Sequence, residues 1–126
     1  MEETKLTEKL KKISENQAKI YFISKVLHWN ANKYDEHLLY DRIGEGTIDN
    51  IDEIAEVCIF PFTKISDLDL KIDKFDLEAL KDLITDTADE IQEVCQDSET
   101  AEGIKNTLSG IASQLNVKAY LIKNNL

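Results

Sequence analysis

His37, Asp41, Asp52 and Glu56 follow one another at spacings of four, eleven and four residues. On an unbroken helix, at about 100° per residue, they fall at about 0°, 40°, 60° and 100°, so one face would carry an imidazole and three carboxylates. That donor set suits ferrous iron, with zinc or manganese as the other cations it would take, and carboxylates on successive turns can bridge a pair of ions. A single carboxylate pair at i,i+4 means little, because solvated helix faces carry such pairs routinely. The set is more specific as a whole: His28, the only other histidine, sits at the edge of the preceding helix's apolar stripe and can reach the same region.

The elements that must position these residues are helical. Leu6, Leu10, Ile13, Gln17, Ile20, Ser24 and Leu27 alternate spacings of four and three, which predicts helix A from Thr4 to about Asn30. A polar break precedes helix B, from about Tyr34 to Ile59, ended by Pro61. Residues 60–74 show only a weak period-two alternation between Ile65 and Ile72 and are expected to form the crossover connection between helices B and C that a ferritin-like bundle needs. Asp76 caps helix C, with Leu77, Leu80, Ile84, Thr87, Ile91 and Val94 on one face as far as Asp97. Helix D opens at Ser98 or Thr100 and carries Ile104, Leu108, Ile111, Leu115, Ala119 and Ile122. The expected fold is all-α, a single ferritin-like four-helix bundle over residues 1–126.

Within helix B, Leu39, Tyr40, Ile43, Ile51, Ile54, Val57 and Cys58 occupy a different arc, about 200° to 320° on the same wheel, and are the expected core. The acidic stripe therefore points away from its own bundle. Tyr34, Leu38, Ile48 and Ala55 lie among its four polar residues, a mixture that implies contact with another subunit. A site inside one bundle would need two Glu-x-x-His motifs, and neither histidine has a glutamate three residues before it. Gly44 and Gly46 leave an alternative: Gly44-Glu45-Gly46 is a loop between two short helices, and the shared face is lost.

Composition narrows the function classes. A net charge of −10, with Arg42 the only arginine, repels phosphate, and Lys5, Lys9, Lys11 and Lys12 are interleaved with glutamates in pairs such as Glu8 with Lys12, so DNA binding is not expected. No apolar run approaches the roughly 20 residues of a membrane span and no signal-peptide pattern opens the chain, which places the protein in a cytoplasm. Cys58 and Cys95 stand apart without a paired motif and are expected as reduced thiols.

His28-Trp29-Asn30, His37 with Asp41, and the run Ile51-Asp52-Glu53-Ile54-Ala55-Glu56 resemble the signature of the Dps family, the DNA-binding proteins from starved cells and their mini-ferritin relatives. The resemblance covers helices A and B. It implies that His28, His37 and Asp41 bind iron together with Asp52 and Glu56 of a two-fold partner, with Trp29 beside the site. It implies further a ferroxidase that oxidises ferrous iron with peroxide or oxygen and stores the ferric product in a twelve-subunit shell. The segment from His28 to His37 is three residues shorter than is usual in that family, and the lysine-rich tail with which some members bind DNA has no counterpart here. The rival reading is a non-enzymatic interaction or scaffold protein that keeps the bundle with a degenerate or structural metal site.

Overall fold

In a computed structural model describing residues 1–126, five helical segments make up four packed helices without strands. Segment α1 spans Glu3–Asn30, α2 Tyr34–Gly44, α3 Thr47–Glu53, α4 Leu77–Gln96 and α5 Glu102–Asn125; α3 runs on into a wider π-helical stretch, Ile54–Ile59. The apolar periods read from the sequence are the buried faces. On α1, Leu10, Ile13, Gln17, Ile20 and Ser24 are buried; on α4, Leu80, Ile84, Thr87, Ile91 and Val94; on α5, Ile104, Leu108, Ile111, Leu115 and Ile122. Asp76 caps α4 as its position predicts, its carboxylate accepting from the Ala79 N–H at 2.8 Å. The final helix starts slightly later than expected, at Glu102, with Thr100 buried before it.

Directions follow from side-chain partners. The ammonium of Lys9 lies 2.8 Å from Glu93 and 3.1 Å from Glu90, and that of Lys12, one turn on, also reaches Glu90, one turn earlier on α4 than Glu93, so α4 is antiparallel to α1. Lys12 joins Glu90 at 3.4 Å rather than the expected Glu8. Lys11 pairs with Asp67 at 2.9 Å, and the Asp69 N–H donates to Glu15, so the segment after the second helix lies along α1. No helix is long and apolar enough to cross a membrane. Both cysteines are free thiols; burial pushes the Cys58 thiol up to about 11, whereas Cys95 is only partly covered.

The second helix is not continuous, which corrects the unbroken helix B expected from its spacing. Glu45 is extended (φ −64°, ψ 136°) and Gly46 is left-handed (φ 81°), so the α-helical ladder stops at Gly44 and restarts at Thr47. The freed carbonyls find side chains. Thr47 Oγ1 donates to the Gly44 carbonyl at 2.8 Å, and the buried Lys118 Nζ reaches the Glu45 carbonyl from α5, also at 2.8 Å. Gly44 is further held to glycine by proximity, because a Cβ there would meet Ser24 Cβ at 3.3 Å. Beyond α3, the Phe60 N–H bonds back five residues to the Ala55 carbonyl. That widening turns Val57 outward, at 41% exposed, and buries Cys58 and Ile59, whereas an ideal wheel placed Val57 in the core.

The break is testable at its hinge. Gly46→Ala forces an L side chain into the left-handed region and should destabilise the fold by about 1–2 kcal/mol. Gly110→Ala, in open space in the interior of α5, should instead stabilise by roughly 0.5–1 kcal/mol. Urea midpoints read both, and equal shifts would rule out the strained turn.

Candidate metal centre

His28 closes the last turn of α1 and His37 lies in the first turn of α2, with the short link between them folding one ring onto the other. The rings stack with centroids 3.7 Å apart and planes 23° apart. Each ring nitrogen Nδ1 faces the other residue's carbonyl, His28 Nδ1 to His37 O at 2.5 Å and His37 Nδ1 to His28 O at 2.8 Å. A carbonyl only accepts, so both Nδ1 atoms carry hydrogen and donate. The neutral rings then keep their Nε2 lone pairs free, the tautomer that metal-ligating histidines take when a carbonyl holds the other nitrogen. Tyr34 extends the column, its ring 6.2 Å from His37. Stacked, near-parallel rings do not aim two lone pairs at one point, so a cation shared by both rings would require the stack to open.

Asp41 stands one helical turn after His37 but is already engaged, its Oδ1 2.8 Å from Lys25 Nζ. The Lys25 ammonium holds this carboxyl below its usual range. Lys25 is a site residue that a search for metal-ligand types passes over, although it lies three residues before His28 on α1, a spacing that puts the two side chains on neighbouring turns. Ile48 and Asp49, just past the break, share a recess with Tyr21, Lys25 and Asp41. Asp52 follows Ile48 by one turn and Glu56 follows Asp52 by four residues; both are exposed.

The structure therefore brings His28, His37 and Asp41 into one neighbourhood and leaves Asp52 and Glu56 further along the same helix pair. No three histidine, cysteine, aspartate or glutamate side chains of one chain gather as a metal-holding group. No family model matches the chain, and no curated protein or solved structure matches it either. Around the site the surface is apolar as well as charged: Phe22 is 47% exposed, Trp29 68%, Tyr34 75%, Leu38 48% and Ile48 47%. Trp29 thus stands in solvent beside the histidine pair rather than inside the bundle. Aromatic and aliphatic groups clustered with ligand-type side chains are what a protein contact surface shows at its centre.

Proposed function

We propose that the protein binds ferrous iron between two copies of this chain and oxidises it, as a Dps-like ferroxidase and iron-storage protein. The observation that carries the reading is the histidine clasp: two imidazoles with both Nδ1 atoms tied to carbonyls and both Nε2 atoms left as ligands, one turn from Asp41. With the ring stack opened and Asp41 released from Lys25, His28, His37 and Asp41 would hold the ion on one side, and Asp52 and Glu56 of a two-fold partner would complete the set. Each ferrous ion gives up one electron, two of them reducing one peroxide to water, and the carboxylates offset the added charge of the ferric product. The chain's excess of acidic groups, net −10, draws cations toward the surface.

The same proposal takes the fold to be ferritin-like, with a crossover between the second and third helices. Its support is the pairing of Asp67 with Lys11 and of Asp69 with Glu15, which leads the connection up α1 before α4 descends to meet Lys9. Assembly beyond a two-fold pair, up to a twelve-subunit shell, belongs to the reading as well. A second reading is favoured by the Asp41–Lys25 pair and the broken second helix: a bundle that serves as an interaction or scaffold protein without iron chemistry.

Anaerobic ferrous titration followed by peroxide separates the two. The wild type should bind iron saturably, with Trp29 fluorescence quenched, and develop ferric absorbance. His37→Ala, Asp52→Ala should lose the saturable phase. Identical curves for wild type and double variant would remove the ferroxidase reading. Light scattering adds an independent arm, since a lone monomer would favour the scaffold.

A further inference from the structure

The segment between the second helix and α4 does something the metal reading leaves unused. Its sequence alternates, Leu68, Leu70 and Ile72 against Asp67, Asp69, Lys71 and Asp73. Asp67 touches Lys11 and Asp69 touches Glu15. Two residues of the segment thus span four of the helix, about 6 Å, or about 3 Å per residue, close to the rise of a β-strand. No backbone-to-backbone hydrogen bond involves residues 64–75. The N–H groups that do find partners belong to odd residues: Asp69 donates to Glu15 and Lys71 to Asp69 Oδ1 at 3.0 Å. In an extended chain alternate residues direct their N–H and C=O to opposite edges. With the odd residues turned to α1, the free edge belongs to residues 66, 68, 70 and 72.

We propose that this edge pairs antiparallel with the same segment of a second copy, about a two-fold axis at Leu70. The register follows from chemistry. Leu70, 45% exposed, then covers Leu70 of the copy, and Leu68, 41% exposed, faces the side of Ile72 that its own core leaves uncovered. On the other face Lys71 opposes Asp69 twice, an attractive pair on each side of the axis. Asp67 opposes Asp73, and Lys11 already neutralises Asp67. Over residues 64–74 three lysines balance three aspartates, so in a chain of net charge −10 this segment is one that two copies can bring together without repulsion. A slip by one residue would set apolar against charged side chains and turn the bonded N–H groups outward. The inference stands on the segment alone and does not rest on iron binding.

Leu70→Pro removes the central N–H donor at a position whose N–H makes no bond within the chain, so the fold is kept. By sedimentation over a concentration series the wild type should form a two-copy species, L70P should weaken it at least about tenfold with unchanged helical circular dichroism, and Leu70→Thr, which keeps the donor, should retain it. Cross-linking fixes the register. In a Cys95→Ser background, Leu70→Cys should oxidise to a covalent pair, because directly opposed hydrogen-bonded residues lie about 5.5 Å apart at Cα. Leu68→Cys alone should not, its copies being about 13 Å apart, whereas Leu68→Cys mixed with Ile72→Cys should. A wild type that stays monomeric, an L70P assembly equal to wild type, or an L70C that fails to cross-link each overturns the proposal. Loss of ferrous binding with the cross-link intact would sink the metal reading alone.

Discussion

Replacing Lys118 by methionine should remove a contribution to stability of about 2–3 kcal/mol that Lys118 gains between pH 8 and pH 10.5, read as the difference between wild type and variant. Lys118 is 6% exposed, and its ammonium is bound to the Glu45 carbonyl at the break in the second helix. Burial pulls its pKa down from 10.5 to about 8, with Glu45 opposing the shift more weakly. Between those two values the unfolded chain holds a proton that the folded chain has released, so stability increases with pH across that window and is lost as pH falls through 8. At neutral pH both states are charged and the fold carries the whole cost of burying the ammonium. Lys118→Met should accordingly be at least as stable as wild type at pH 7, with the wild type closing the gap by pH 10.5. The Cys58 thiol, held up at about 11, works in the opposite direction above pH 9, but does so in both proteins and cancels in their difference. Urea unfolding at several pH values measures the two curves. Parallel curves would mean that Lys118 titrates normally, and that no buried cation secures the break.

Lys118 also shows where the sequence stops being legible. The faces of α1, α4 and α5 could be read because each repeats apolar residues over five or more turns, and an error of one position hardly moves the arc. On α5 the apolar period points Ala119 inward, whereas Lys118 beside it is buried and Ala119 is exposed, since a carbonyl freed at the break in the second helix needs a donor. Nothing local to α5 announces that need. The second helix defeated the wheel twice, at the left-handed Gly46 and at the π-helical stretch, because a fixed angle per residue holds only while every turn is alike. At the site, the approach of His28 to His37 is legible from the place of His28 at the edge of the first helix's apolar stripe. Their stacking is not, and neither is the capture of Asp41 by Lys25, since both depend on rotamers chosen by packing.

Asn50→Ala should cost about 3 kcal/mol, more than most substitutions at half-polar positions. Asn50 is 5% exposed, and its Nδ2 donates to Gln114 Oε1 at 2.8 Å and to Gln17 Oε1 at 3.4 Å, linking three helices through a polar contact in the middle of the bundle. Gln17 is 1% exposed, so removing its donor strands a buried amide oxygen in addition to opening a cavity. Taking both partners away has a different outcome. Gln17→Leu with Asn50→Leu leaves only Gln114, which reaches solvent, and should fall within about 1 kcal/mol of wild type, a double-mutant coupling of at least about 2 kcal/mol. Stability is then not what the polar contact provides. Around it α1 meets the second helix along Ser24 against Gly44, with the hydroxyls of Ser14 and Ser24 buried and unpartnered. A seam of such small side chains resists sliding only weakly, whereas Gln17 can meet Asn50 in one register alone. Because α1 carries His28 and the second helix carries His37, that register also determines whether the two imidazoles meet. The doubly leucine-substituted protein should therefore keep its urea midpoint while its two imidazole resonances broaden or split in NMR spectra; sharp, unshifted histidine signals would show that the histidine clasp aligns the helices by itself.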